Sequence, residues 1–214
     1  MQWAREWLGR KGAENPRLDA ELLLAHALRC DRVRLYIDAD KPLAAEELAR
    51  FKSLIKRRGE REPVAYILGT KEFYGRSFAV GAGVFIPRPE TELLVRMVTE
   101  HLARDAEARV LDLCAGSGAV GISVAAERPR ARVDLVELSA DAAAVARANA
   151  AKHAPGRVRV SRAICTRPCR KRSVTMRSRR IRRTCQPLVW QDLLRMSSST
   201  SRTSRCSRER TASP

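Results

Sequence analysis

The chain has 214 residues, 44% of them hydrophobic and 31% charged, with a formal net charge of +18. That apolar content suffices for one or two modest globular domains, and no apolar run reaches the roughly 18 residues that a bilayer-spanning helix needs, so a helical membrane protein is set aside. Six cysteines behind a start that does not resemble a secretion signal lead us to expect free thiols and a cytoplasmic protein rather than a disulfide scaffold.

In chain order, Trp3, Trp7 and Leu8 predict a short amphipathic helix. Asn15 is placed to cap a second helix with Pro16 in its first turn, and Leu18, Leu22, Leu24, Ala25 and Leu28 form its expected apolar face. Leu48, Phe51, Leu54 and Ile55 predict a third helix ending near Gly59. Three such helices make a bundle over residues 1–60, a size that suits recognition better than catalysis. From Val64 to Ile86 aromatic and branched residues, interrupted by glycines at 69, 75, 81 and 83, read as β structure, so a hairpin linker is expected over residues 61–90. A helix follows from near Thr91 to about Arg104. Pro87 and Pro89 stiffen its approach, and Glu90 and Glu92 complement its N-terminus.

The most informative stretch is Val110-Leu-Asp-Leu-Cys-Ala-Gly-Ser-Gly-Ala119 followed by Val133-Asp-Leu-Val-Glu-Leu138. It reads as a strand, a glycine turn, a helix over about Ala119 to Glu127, and a second strand ending in an acid. Glycines at the turn let a ligand approach the backbone, the helix aims unpaired N–H groups into the same gap, and Glu137 can accept hydrogen bonds from ribose hydroxyls. Gly116-Ser-Gly-Ala-Val-Gly121 also satisfies the dinucleotide pattern, with Glu137 about 20 residues on. Asp112 favours S-adenosylmethionine, because a carboxylate at this mouth opposes a diphosphate and suits the cationic sulfonium and amino groups of that cofactor. The expected cofactor-binding residues are Cys114, Ala115, Gly116, Ser117, Gly118 and Glu137, with Asp112 orienting the amino group.

Upstream of the turn lie Glu62-Pro-Val-Ala-Tyr-Ile-Leu-Gly-Thr-Lys-Glu-Phe-Tyr-Gly75 and Phe78-Ala-Val-Gly-Ala-Gly-Val-Phe-Ile-Pro-Arg-Pro-Glu-Thr-Glu92. With Asp112-Leu-Cys-Ala-Gly-Ser-Gly118, these strings resemble the peptide chain release factor N5-glutamine methyltransferases over about Met1 to Val160. The resemblance implies an α/β fold: a Rossmann-like methyltransferase sheet preceded by a small helical bundle and a β-hairpin. It also implies a cytoplasmic enzyme, expected to be a monomer, that uses S-adenosylmethionine to methylate a glutamine side-chain amide in a release factor and meets nucleic acid only through the ribosome-associated substrate. It places Pro87 to Glu90 near the site. Residues 91–160 then correspond to the N-terminal half of the methyltransferase domain. The family's Asn-Pro-Pro-Tyr string, whose Asn side chain and proline carbonyl hold the substrate amide, is absent from the chain as written, so no catalytic residue is assigned and an inactive polypeptide is expected.

Composition breaks near Ser161. Residues 1–160 carry 27 Lys and Arg against 22 Asp and Glu, whereas residues 161–214 carry 15 against 2, with ten serines, four of the six cysteines and no glycine. Taken at face value, such a tail is disordered and binds nucleic acid through phosphates. A frame error is the other reading. Joining the third base of each codon to the first two of the next permits Tyr-Asp-Ala-Val-Ala-Ser-Asn-Pro-Pro-Tyr-Val over Val174 to Cys185, so the tail is expected to be out of frame. Cys165, Cys169, Cys185 and Cys206 match no standard zinc spacing, and His26, His101 and His153 have no partner pattern, so no metal site is expected. Three other classes compete: a nucleic-acid base methyltransferase, a dehydrogenase, and a non-enzymatic nucleic-acid binder acting through the tail.

Overall fold

The computed structural model describes residues 1–162. The cysteine-bearing tail and Pro187 to Leu194 lie outside the described residues. The chain divides into a unit of Met1–Arg88 and a second beginning at Pro89.

The first unit holds five helices and a hairpin: α1 (Gln2–Arg10), α2 (Pro16–Leu28), α3 (Arg32–Ile37), α4 (Ala45–Gly59), α5 (Val64–Leu68), β1 (Thr70–Phe73) and β2 (Arg76–Ala79). Ala4 and Leu8 of α1, Ala20, Leu23, Leu24 and Ala27 of α2, Phe51 and Ile55 of α4, and Ile67 of α5 form its core. Helix α2 touches α1, α3, α4 and α5, and this central position corrects the expected apolar face. Leu18 stays 39% exposed, Leu22 and Leu28 are half-buried, and Asp19, Ala20, Glu21 and Leu23 are buried instead. A helix enclosed on most sides has no single apolar stripe to read.

Its buried acids are matched by bases. Arg58 Nε lies 2.7 Å from Asp19 Oδ2, and Glu21 accepts from Arg17 Nε at 2.8 Å, Arg32 at 2.7 Å and the Tyr36 hydroxyl at 2.9 Å. The Arg17 hydrogen bond above all holds the Glu21 carboxyl down to about 2, against the opposing effect of burial. Asn15 occupies the N-cap position of α2, but its side chain makes no cap bond.

Val64–Leu68, expected as β structure, is helical. Pro63 opens it in an extended conformation and Gly69 closes it at φ 73°, so a five-residue segment bracketed by proline and glycine turns once and buries Ile67 in the bundle. The short α3 was not expected; it buries none of its residues. The hairpin begins only at Thr70. Its turn is Tyr74-Gly75, both at positive φ (49° and 68°), the type I′ geometry that matches strand twist. Phe73 and Phe78 meet edge to face at 6.1 Å beneath it.

The second unit opens with a 3₁₀ turn (Pro89–Thr91) and α6 (Glu92–His101), which ends three residues earlier than expected. A parallel α/β array follows: β3 (Arg109–Leu113), α7 (Ala119–Glu127), β4 (Arg132–Glu137), α8 (Ala140–His153) and β5 (Val158–Arg162), with strand order β3-β4-β5. Asp112 pairs with Leu135 across the first ladder and Glu137 with Arg162 across the second. Val110, Ile122, Val124, Ala125, Val133, Leu135, Ala143 and Ala146 supply the interior. Arg128 ties α6 to the end of α7 by donating to the Leu102 carbonyl at 2.9 Å and to the Thr99 carbonyl, which satisfies carbonyls left over at a helix C-terminus. Among the described residues β3 is an edge strand, with Leu111 39% and Leu113 47% exposed. The mixed helical and parallel-sheet architecture is the expected fold class, and no helix among the described residues is long and apolar enough to cross a membrane.

Candidate functional site

Strand β3 stops where the chain must bend to enter α7, and the bend is built from left-handed residues. Cys114, Gly116 and Gly118 have φ of 60°, 57° and 79°. Cys114 is the costly one, since an L side chain in this region is strained, and such strain collects at functional sites. The glycines play different parts. A Cβ on Gly116 would meet nothing within 4 Å, so the space over this residue is open, whereas one on Gly118 would fall 2.6 Å from Ile122 Cδ1. Gly121, in the first turn of α7, is crowded by β4: a Cβ there would lie 2.4 Å from Leu135 Cδ2.

Hydrogen bonds fix the turn from several sides. Ala115 N–H donates to the Val136 carbonyl at 3.2 Å and Gly118 N–H to the Ala115 carbonyl at 2.8 Å. Glu137, the last residue of β4, accepts from Gly116 N–H at 2.8 Å on Oε2, and from Leu138 and Ser139 N–H at 2.8 and 2.9 Å on Oε1. Burial works to raise the Glu137 carboxyl, but the three amides outweigh it and hold it below the usual carboxylate range. A carboxylate has about four acceptor positions, so the Glu137 carboxylate keeps capacity for a ligand hydroxyl.

Asp112 lies under the same bend. Its Oδ2 accepts from Gly121 N–H at 3.0 Å. Burial pushes its carboxyl up to about 6, the Gly121 amide opposes that, and the charge of Glu137 adds to it. Gly121 is the third residue of α7, so one of the amides that a helix start offers an anion is taken by a carboxylate of the protein itself. The mouth is acidic. It suits a ligand with hydroxyls and positive charge, as S-adenosylmethionine has, and disfavours a pyrophosphate.

The structure thus brings Cys114, Ala115, Gly116, Ser117, Gly118, Glu137 and Asp112 to one bend. Pro89 and Glu90 belong to the 3₁₀ turn that opens the second unit, while Pro87 and Arg88 close the first. The described residues hold no cluster of His, Cys, Asp or Glu suited to a metal. Missed from the sequence was Asn149 of α8, 1% exposed, whose Nδ2 donates to the Ser117 carbonyl at 2.9 Å. A signal was present: an amide with poor helix propensity amid the alanines of Ala-Arg-Ala-Asn-Ala-Ala.

Two domain models match the chain: residues 1–69 match the PrmC N-terminal domain and residues 79–172 the methyltransferase small domain. Proteins named release factor glutamine methyltransferase are similar to it. That of Geobacter sulfurreducens is 47% identical over 154 residues, 72% of this chain and 53% of the relative. That of Rhodopirellula baltica is 40% identical over 153 residues, 70% of this chain and 52% of the relative. That of Burkholderia pseudomallei is 49% identical over 135 residues, 63% of this chain and 47% of the relative. The chain spans about half the length of the curated relatives it matches.

Proposed function

We propose that this chain, a PrmC N-terminal domain followed by a methyltransferase small domain, holds the recognition module and the cofactor-binding half of a release factor glutamine methyltransferase. The observation that carries the reading is the carboxylate-lined glycine bend, with Asp112 below it and Glu137 closing it. S-adenosylmethionine, when bound, supplies a methyl group on a positively charged sulfur. The open backbone at Cys114 to Gly118 accommodates it, Glu137 accepts from ribose hydroxyls with the acceptor capacity its three amides leave, and the Asp112 carboxylate faces the amino group. Because these groups are tied to β3, β4 and α7, they require little rearrangement to receive the ligand.

The acceptor is the side-chain amide of a glutamine in a peptide chain release factor, with the helical first domain as the recognition element. An amide nitrogen is a weak nucleophile, since its lone pair is delocalised into the carbonyl. Groups that hold its hydrogens and turn it toward the methyl donor are therefore required. The Asn-Pro-Pro-Tyr string that would supply them is absent from the 214 residues. The chain as written binds the cofactor and does not turn over. We read residues from about 161 onward as out of frame. The charge break at that point supports this.

Calorimetric titration of the purified chain with S-adenosylhomocysteine and with NAD tests the reading. Binding of the first and not the second is expected; the reverse would place the protein among dinucleotide enzymes. Methyl transfer to a release factor by the same preparation would refute the inactive state. The 15 basic against 2 acidic residues of the tail favour one further reading, nucleic-acid binding through phosphates. It requires an affinity that falls steeply with salt and disappears when residues 161–214 are deleted.

A further inference from the structure

The bend after β3 has a weakness that follows from its own composition. Gly116 and Gly118 make the left-handed path accessible, and they also make the intervening peptide units free to rotate, because glycine accepts φ of either sign. Rotation of the Ser117–Gly118 peptide would exchange its carbonyl and N–H directions and break the Gly118 N–H bond to the Ala115 carbonyl. Within the bend itself, that bond from Gly118 N–H to the Ala115 carbonyl at 2.8 Å opposes the rotation.

Helix α8 opposes it too. Asn149 is 1% exposed and Ser117 2% exposed, and the Asn149 Nδ2 donates to the Ser117 carbonyl at 2.9 Å across 32 residues of chain. The helix carrying it is anchored at its start by Ser139, whose hydroxyl accepts from Ala142 N–H at 3.3 Å. The Ser139 N–H in turn donates to Glu137. Both ends of the bend are therefore referred to one rigid element: Gly116 through Glu137 at the start of α8, and Ser117 through Asn149 in its third turn.

We infer that Asn149 is a positioning residue that fixes the Ser117–Gly118 peptide plane, and through it the surface that the bend presents to the adenosyl ligand. This rests on the reading of the bend as the ligand-holding element. A buried carbonyl deprived of its donor seeks another, and the simplest route is to turn the peptide, which reshapes the floor on which the ligand sits.

The test uses the full 214-residue chain and two readouts, calorimetric affinity for S-adenosylhomocysteine and amide hydrogen exchange at Gly116 and Gly118 without ligand. Asn149→Ala removes the donor while improving helix propensity, so a role confined to holding α8 predicts no loss. Asn149→Asp keeps the shape and, when ionised, sets an acceptor against the carbonyl. Ala148→Gly, at an exposed neighbour on the same helix, weakens α8 without reaching the bend. Both Asn149 substitutions should weaken binding by about tenfold or more and speed exchange at Gly118, while Ala148→Gly retains the parent affinity. If the Asn149 variants match Ala148→Gly in both readouts, the inference is overturned. If the parent chain fails to bind S-adenosylhomocysteine, the cofactor reading falls, and exchange at Gly118 still decides whether Asn149 sets the bend.

Discussion

Replacing Asp112 by Asn should make the second unit more stable and its ligand binding weaker. The carboxyl has an ordinary value of 3.8 and is pushed up to about 6 by burial. The folded protein therefore holds the Asp112 proton more tightly than the unfolded chain does. Stability linked to this group is fully present below 3.8 and is lost as the pH rises through about 6. Asp112 is half-buried, so at pH 7.5 its ionised form costs less than the about 3 kcal/mol that 1.36 kcal/mol for each tenfold change in proton affinity would give. Asp112→Asn keeps an oxygen for the Gly121 N–H, 3.0 Å away in the parent, and has nothing to ionise. Urea melts should therefore show the variant gaining on the order of 1–2 kcal/mol at pH 7.5 and almost nothing at pH 4. Far-ultraviolet circular dichroism, or exchange at the amides of α7, is the suitable probe, because Trp3 and Trp7 report on the first unit. In the same variant the affinity for S-adenosylhomocysteine should fall by about tenfold or more, the loss expected for one charge-assisted hydrogen bond. An equal gain at both pH values, or none at pH 7.5, would refute the argument that a charged, half-buried carboxylate is retained at the expense of stability for the sake of a cationic ligand.

Other outcomes follow from the same geometry. Gly121→Ala places a methyl 2.4 Å from Leu135 Cδ2, so Leu135 must repack or α7 shift against β4, and thermal melts should show a loss of about 1–3 kcal/mol. In the first unit, Glu21 is held down to about 2 from 4.5, chiefly by Arg17. Its contribution is present above 4.5 and is lost as the pH falls through about 2, so Glu21→Gln should lower the melting temperature at neutral pH and flatten its decline on acidification. Resequencing the gene across codons 155–165 and restoring the alternative frame should yield a protein that methylates a release factor peptide. An uninterrupted frame through the tail in several independent isolates would rule out the frame error.

Much of the bend after β3 was legible because its constraints are local. A short apolar strand, a glycine pair, a helix and an acid closing the next strand declare themselves in residue type and order, and α7 spans Ala119–Glu127 as its pattern indicated. The same local rules misled in the first unit. Val64 to Leu68 has a strand-like composition, yet burial of Ile67 among the helices of the bundle outweighs that preference.

What the sequence by itself determined, then, is the identity of the groups at the bend and the order of the elements around it, since both follow from nearest-neighbour chemistry. Only the tertiary structure decided that α2 is enclosed by its neighbours, that Asp112 turns inward onto Gly121, and that Asn149 reaches Ser117. Each of these depends on where a distant segment comes to rest. Periodicity records the side on which a residue is buried, and carries no information about the partner it meets there.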